Sequence, residues 1–156
     1  MIVYDNVFDE TTANLWWEYS YKIYMETLST FKFDSCSTRE VTITFEDWTE
    51  KMFTFIKEKY NIEVEKYKRA YCNFQKSESL EPPLHTDLED IVMIYYTRFD
   101  WKEEWGGGTE IDGELVSYKG NRLVICNGST PHKAMPILKE CEEFRVSISF
   151  LCNKKE

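Results

Sequence analysis

The spacing of hydrophobic residues changes near residue 62, and this change restricts the folds that the chain can adopt. Before it, the apolar residues follow at spacings of four, three, one and four, which is the amphipathic pattern of an α-helix; they are Trp48, Met52, Phe55, Ile56 and Tyr60. After it, short apolar segments alternate with polar residues and are separated by turns that contain glycine. Helices followed by many short strands are typical of an α+β domain built on a barrel or sandwich.

Two helices and eight strands are predicted from these patterns. The first helix is capped by Asp9, Thr11 or Thr12 and runs to about Leu28. The second is capped by Thr44 and ends at Asn61. A first strand is expected at residues 1–4. The other strands are expected at residues 63–74, 91–97, 109–111, 114–118, 122–126, 133–137 and 144–152.

The predicted elements form one domain over residues 1–156. Its first part, residues 1–61, is a helical support, and residues 62–152 are the barrel core. Two helices ahead of the strands are expected to cover one face of a sheet, because each element must bury its apolar side.

Composition limits the partners and the compartment. The 28 acidic and 19 basic residues give a net charge of −9, which argues against nucleic acid and anionic membrane surfaces as partners. The longest apolar run, residues 91–96, is far shorter than the roughly 20 residues of a membrane span. Five cysteines without CxxC spacing argue against a disulfide framework or a zinc knuckle and favour a reducing cytoplasm.

The two histidines of the chain are the first candidates for chemistry. His85 precedes Asp87 by two positions, so both side chains point to the same side of an extended segment. His132 lies further along, at the start of a predicted strand. Two imidazoles and one carboxylate are the ligand set of non-haem iron(II) oxygenases. The alternative interpretation is a loop pair beside Pro82 and Pro83, with His132 on the surface.

Arg145 and Ser147 share one face of an otherwise apolar predicted strand. A buried arginine requires a partner, and its planar guanidinium suits a carboxylate. That partner is either an acidic residue of the chain or a diacid ligand. In the second case, the far carboxylate of the ligand meets Arg145 and Ser147 while its near end binds a metal.

Four segments between about Tyr71 and Cys152 resemble a known family. They read PPLHTD, IVMIYYTRFDWKEEWGGGTEI, NRLVICNGSTPHKAMPI and FRVSISF. In this order they resemble the iron(II)- and 2-oxoglutarate-dependent dioxygenases of the prolyl 4-hydroxylase-like superfamily. The resemblance implies a double-stranded β-helix, or jelly-roll, barrel with the N-terminal helices packed on one sheet.

The resemblance also implies residue roles. They are His85, Asp87 and His132 as ligands of Fe(II), and Arg145, Ser147 and Tyr96 as the binding residues for the C5 carboxylate of 2-oxoglutarate. No catalytic residue is implied beyond the metal ligands, and ascorbate is a candidate reductant. One of Tyr71, Asn73 and Phe74 is a further candidate to line the 2-oxoglutarate pocket.

One loop departs from the family pattern. The Trp-Gly-Gly loop of the family continues with Glu-Thr, whereas here three glycines, residues 106–108, run directly into Thr109. The missing glutamate is not a metal ligand, so the departure concerns the subfamily more than the chemistry. Trp101 and Trp105 of this region either contact a substrate or pack the rim of the barrel.

The implied reaction is hydroxylation of an unactivated C–H bond, with O2 and 2-oxoglutarate consumed and succinate and CO2 released. Asp87 favours hydroxylation, because halogenating relatives lack this carboxylate. A prolyl residue in a peptide or protein is the expected substrate. The alternatives are a free amino acid or other small metabolite as substrate, or a barrel that binds a metal and a carboxylate without turnover.

Overall fold

The computed structural model describes residues 1–30, 39–42, 47–77, 79–138 and 140–155. Within these ranges the chain forms two α-helices, nine β-strands and a short 3₁₀ turn at Glu103–Trp105. The helices are α1 (Glu10–Thr30) and α2 (Asp47–Lys59). The strands are β1 (Ile2–Tyr4), β2 (Arg39–Thr42), β3 (Val64–Gln75), β4 (Ile91–Tyr96), β5 (Thr109–Ile111), β6 (Glu114–Val116), β7 (Arg122–Asn127), β8 (His132–Ala134) and β9 (Arg145–Lys154).

The helix ends follow local capping rules. The Asp9 carboxylate accepts hydrogen bonds from the backbone N–H and the hydroxyl of Thr12, at 2.9 and 2.8 Å, and α1 begins at the next residue. Asn61 adopts a left-handed φ of 52°, which ends α2 as predicted. The predicted cap of α2, Thr44, lies outside the described residues. Neither α1 nor α2 combines the length and apolarity that a membrane-spanning helix needs.

The strands form two antiparallel sheets. The larger has the order β1-β7-β4-β9-β3-β2, and the smaller has the order β6-β5-β8. The α+β class is therefore confirmed. Strand β2 and the 3₁₀ turn were not predicted, and β8 ends earlier than expected. It ends at Ala134, two residues before Pro136, which has no N–H to continue the ladder.

One face of the large sheet packs against both helices. Alternate strand residues point to this face, and α1 and α2 supply Trp16, Tyr24, Met52, Phe53 and Ile56 to the same core. The strand members are Ala70, Cys72, Phe74, Met93, Tyr95, Leu123, Ile125, Val146, Ile148, Phe150 and Cys152. Phe74 therefore faces the helices and cannot line a pocket on the other side of the sheet.

The opposite face of the large sheet packs against the small sheet. A second apolar core lies between them, with Ile94, Val124 and Leu151 from the large sheet and Ile111 and Val116 from the small one. Towards one end of this face the apolar side chains give way to polar ones. They are Asn73, Gln75, Arg145, Ser147 and Ser149, on β3 and β9.

Candidate metal and carboxylate site

Backbone hydrogen bonds bring His85, Asp87 and His132 together. His85 and His132 exchange backbone N–H···O bonds of 3.1 and 2.9 Å, and the Asp87 N–H donates to the Gly128 carbonyl at 2.8 Å. Both contacts attach the segment after β3 to the region around β8. The three side chains each offer a ligand atom, and these atoms all lie within 4.8 Å of one another.

The two imidazoles are oriented in the same way. Nδ1 of His85 lies 3.0 Å from the Pro83 carbonyl oxygen, and Nδ1 of His132 lies 2.8 Å from that of Thr130. A carbonyl oxygen can only accept, so Nδ1 of each ring is the donor. In a neutral ring with its proton on Nδ1, the free lone pair is on Nε2. This tautomer can bind a metal through Nε2.

These orientations allow a test of whether the residues fit a cation. Nε2 of His132 lies 3.2 Å from Oδ2 of Asp87. That oxygen is buried and makes no hydrogen bond with a described residue. Two acceptors this close repel unless a proton or a cation lies between them. A metal ion at the point shared with His85 would satisfy both atoms, so the residues fit a divalent metal of the two-His, one-carboxylate type.

Arg145 is buried on the face of the large sheet that meets the small sheet. The Nε–H group donates to the Gly107 carbonyl, Nη1 donates to the Ser147 hydroxyl at 3.3 Å, and Nη2 to the Thr109 hydroxyl at 3.4 Å. A guanidinium has five N–H donors, so two are left over. No carboxylate of the described residues pairs with this 1% exposed cation, which leaves it open to an external carboxylate.

Tyr96 lies beside Arg145 on the same face. Its hydroxyl is 2.6 Å from that of Thr109, and its ring centroid is 5.4 Å from the guanidinium carbon. Burial raises the pKa of Tyr96, so its phenol stays protonated and keeps a donor. Tyr118 stacks on Tyr96 with 4.4 Å between ring centroids and extends the aromatic wall along the guanidinium.

The strand register relates the cation to the histidine cluster. In the small sheet His132 pairs with Ile111, and Thr109, the hydroxyl partner of Arg145, pairs with Ala134. The two pairs are two residues apart, or about 6.6 Å along the strand, and all four side chains share a face. This separation is comparable to the length of a five-carbon dicarboxylate, so one such molecule can reach both groups.

Gly107 lies against the Arg145 side chain and explains part of the glycine-rich loop. Its φ is +74°, and a Cβ at this position would lie 3.2 Å from Cδ of Arg145 and 3.1 Å from the Trp101 ring. A side chain at residue 107 would therefore displace the Arg145 guanidinium, which donates a hydrogen bond to the carbonyl of the same residue 107. Trp101 is buried, and its indole N–H donates to the Gly106 carbonyl at 2.9 Å, as expected of a residue that packs the rim.

We expect Gly107→Ala to lower the free energy of unfolding by about 1–3 kcal/mol, because it adds backbone strain and a steric contact. Gly113→Ala is the matched control, since Gly113 also has a positive φ, +79°, but no atom within 4 Å of the added Cβ. Urea denaturation of both variants separates the two causes. Equal losses would contradict the contact with Arg145.

Sequence reasoning missed several groups that hold Arg145. Gly107 and Thr109 hold it from the small sheet, and Tyr118 contacts it from the segment after β6. Their contacts depend on the packing of two sheets and have no local signal. The alternation along β3 did give a local signal, because it places Tyr71 and Asn73 on one face of the strand and Phe74 on the other. In the structure, Tyr71 and Asn73 lie on the face of the large sheet that meets the small sheet.

Comparison with known proteins identifies related folds. No protein-family model matches the sequence, and no curated protein matches it. Among solved structures, a prolyl hydroxylase of Trichoplax adhaerens, in complex with a peptide fragment of the hypoxia-inducible factor oxygen degradation domain, superposes with a TM-score of 0.76 at 11% identity. The alignment covers 98% of this chain and 83% of that one.

Two other solved structures have the same fold. HygX of Streptomyces hygroscopicus, solved with nickel and 2-oxoglutarate bound, aligns with a TM-score of 0.69 at 12% identity over 99% of this chain and 82% of that one. The non-haem α-ketoglutarate-dependent epimerase SnoN of nogalamycin biosynthesis aligns with a TM-score of 0.71 at 10% identity, over 98% and 77%. The chain therefore has the fold of prolyl hydroxylases and of other 2-oxoglutarate-dependent enzymes.

Proposed function

We propose that the protein is a single-domain, jelly-roll Fe(II)- and 2-oxoglutarate-dependent dioxygenase that hydroxylates an unactivated C–H bond. One observation carries the proposal. Two imidazole nitrogens and a buried carboxylate oxygen lie together, and the hydroxyl partner of a buried arginine lies two strand positions from the pair that contains His132. That arginine has no acidic partner among the described residues. The histidine–aspartate cluster alone, or the buried arginine alone, would have a structural explanation. Together they match the two ends of one chelating dicarboxylate.

The residues have distinct roles in this proposal. His85, Asp87 and His132 would hold Fe(II), which when bound couples the oxidative decarboxylation of 2-oxoglutarate to oxidation of the substrate. Asp87 supplies the single negative charge of the set. His132 is buried and Asp87 is half-buried, whereas His85 is exposed. The metal position therefore opens towards solvent on the His85 side.

Arg145, Ser147 and Tyr96 would bind the distal carboxylate of 2-oxoglutarate. Each presents a donor in the buried interior, where a charge-assisted hydrogen bond is stronger than in water. The apolar core between the sheets keeps water away from this end. Ascorbate is proposed as a reductant that restores Fe(II).

The rim of the site supports a peptide or protein substrate with a prolyl residue. Leu80, Leu84 and Leu88 are 72, 55 and 102% exposed, and the last two directly flank the His85–Asp87 segment. A molecule that approaches the metal from the exposed His85 side would meet Leu84 and Leu88. An extended polypeptide can cover several of them at once and bury apolar surface.

A free amino acid or other small metabolite is the second candidate substrate. The likeness to SnoN favours it, because that enzyme acts in the biosynthesis of a natural product. A barrel that binds metal and carboxylate without turnover is the non-enzymatic candidate, and it predicts binding with no succinate.

Succinate release distinguishes these candidates. We expect the purified protein with Fe(II), 2-oxoglutarate and ascorbate to form succinate at a rate that at least one proline-containing peptide raises several-fold over the uncoupled background. Stimulation by a free amino acid alone would support the second candidate. Metal-dependent binding of 2-oxoglutarate without succinate from any substrate class would indicate the non-enzymatic barrel. Protein treated with a chelator is the negative control.

A further inference from the structure

The segment that carries His85 forms an edge of the small sheet. His85 exchanges two backbone hydrogen bonds with His132 on β8, and β8 is an outer strand in the order β6-β5-β8. The N–H and C=O groups of His85 therefore point towards β8. Along an antiparallel strand these groups alternate from one side to the other, so those of Leu84 and Thr86 point away from β8.

These outward backbone groups are available to another chain. Neither Leu84 nor Thr86 makes a backbone hydrogen bond to a described residue, and both are exposed. An edge with free N–H and C=O groups is a template for a further extended segment unless charged residues or prolines block it. Residues 84–86 include no acidic residue, lysine or arginine, and Pro82 and Pro83 end the edge on one side. The open edge therefore suits a short peptide segment.

The edge lies directly beside the proposed metal ligands. Side chains alternate along a strand, so His85 points to the metal position while Leu84 and Thr86 point to the outer face of the small sheet. A residue of an added strand opposite His85 points to the metal side as well, with its Cβ about 4.5–5.5 Å from that of His85. An added strand would thus present one side chain to the metal and turn its two neighbours away.

Proline fits the position opposite His85 when the added strand is antiparallel. In that arrangement the residue opposite His85 directs its N–H away from the edge, and its two neighbours bond to Leu84 and Thr86. Proline has no N–H, so it loses no hydrogen bond there. In a parallel arrangement the residue opposite His85 would have to donate its N–H to the Leu84 carbonyl, which proline cannot do.

We propose that a polypeptide substrate binds as an antiparallel strand along residues 84–86, with the residue to be hydroxylated opposite His85. This inference rests on the proposed function of the site and specifies how the substrate is recognised. The residue after the target lies directly across from Leu84, which is 55% exposed, and the residue before it lies across from Thr86. Main-chain hydrogen bonds provide the affinity, and an apolar residue after the target is preferred.

N-methylation of a peptide tests the strand pairing with the wild-type protein. The probe is acetyl-Ala-Ala-Val-Pro-Val-Ala-Ala-amide, and titration calorimetry without oxygen measures its binding to protein loaded with Mn²⁺ and 2-oxoglutarate. We expect methylation of the amide of either valine to weaken binding at least about tenfold, because each methyl group removes a hydrogen bond and separates the two backbones. Methylation of the alanine two residues before or after the proline is the matched control. These amides point away from the edge, so the affinity should not change.

A double-mutant cycle tests the register of the added strand. Leu84→Ala is combined with alanine in place of the valine that follows the proline, and we expect a coupling of about two- to fivefold in affinity. Alanine in place of the valine before the proline should show no coupling to Leu84. Leu115→Ala is the control on the protein side and should leave the affinity unchanged. Leu115 is 65% exposed and lies on β6, at the other edge of the small sheet.

The outcomes separate this inference from the proposed function. Equal effects of methylation at all four positions, or no effect at any, would overturn the strand pairing, and coupling of Leu84 to the preceding valine would overturn the antiparallel direction. So would a loaded protein that binds neither the probe nor its analogue with alanine in place of proline. In each case metal-dependent binding of 2-oxoglutarate and release of succinate would leave the proposed function standing. If the protein binds no 2-oxoglutarate, both proposals are wrong.

Discussion

Asp87→Asn is expected to abolish metal binding at the His85–His132 site and, with it, all metal-dependent succinate release. Asp87 is the only anionic group of the three that converge there. Removing a residue that merely orients a metal ligand already costs 10–100-fold in affinity, so loss of the charged ligand itself should cost more than about 100-fold. Titration with Mn²⁺ or Ni²⁺, followed by calorimetry or by the metal-induced rise in melting temperature, measures this loss.

The same substitution should not destabilise the metal-free protein. Oδ2 of Asp87 faces Nε2 of His132 at 3.2 Å, and in the neutral tautomer both atoms are acceptors. An asparagine amide can donate to Nε2 and replace this repulsion with a hydrogen bond. We therefore expect an unchanged or higher melting temperature without metal, together with no response to added metal.

This pair of results separates a metal site from an ordinary ion pair. If Asp87 and His132 formed a stabilising ion pair instead, Asp87→Asn would lower the melting temperature. A metal-induced shift retained in the variant would refute the assignment of Asp87. Glu114→Gln, on the exposed end of β6, is the control for the loss of one negative charge and should leave both measurements unchanged.

Local spacing is sufficient to predict the groups that the site is built from. His85 and Asp87 are two residues apart on an extended segment, and Arg145 and Ser147 are two residues apart on β9, so the period of two places each pair on one face. The position of His132 opposite His85 depends on a long-range bridge that no local spacing contains. Its prediction rested on the ligand set of two imidazoles and one carboxylate and on the family resemblance. Arg145 and Ser147 lie on a regular strand, whereas His85 and Asp87 lie on the segment between β3 and β4.

The contacts that hold Arg145 could not be predicted in this way. Gly107 and Thr109 belong to the small sheet, and they reach Arg145 because the two sheets pack face to face. The side of β3 that faces the site depends on its register with β9, which no local pattern of β3 contains. Strand β2 was missed because it is a four-residue strand whose one neighbour, among the described residues, is β3.

Arg145→Lys is expected to weaken 2-oxoglutarate binding about 10- to 150-fold while leaving metal affinity intact. Lysine keeps the positive charge but lacks the planar set of donors that binds a carboxylate at two points. Losing such a contact costs about 1.5–3 kcal/mol. The ligand-free protein should also be less stable, because the guanidinium joins the two sheets through Gly107 and Thr109.

Arg98→Lys is the matched control, because Arg98 is also a buried arginine, with 4% of its surface exposed. Its guanidinium already has protein partners, with Asp100 and Glu143 both at 2.8 Å. We expect Arg98→Lys to lower the melting temperature without changing 2-oxoglutarate affinity at a temperature where the variant is folded. Arg98 has acidic partners and Arg145 has none among the described residues, and 2-oxoglutarate binding should depend on that difference.

Calorimetry of the metal-loaded variants makes the comparison quantitative. A lysine variant that binds 2-oxoglutarate as tightly as the wild type would show that the unpaired guanidinium is structural. Equal losses of affinity in both arginine variants would show that the effect comes from weakened packing between the sheets. Because a buried cation without an anion is costly, we expect the wild type to gain thermal stability from 2-oxoglutarate in excess of its dissociation constant, and Arg145→Lys to lose most of that gain.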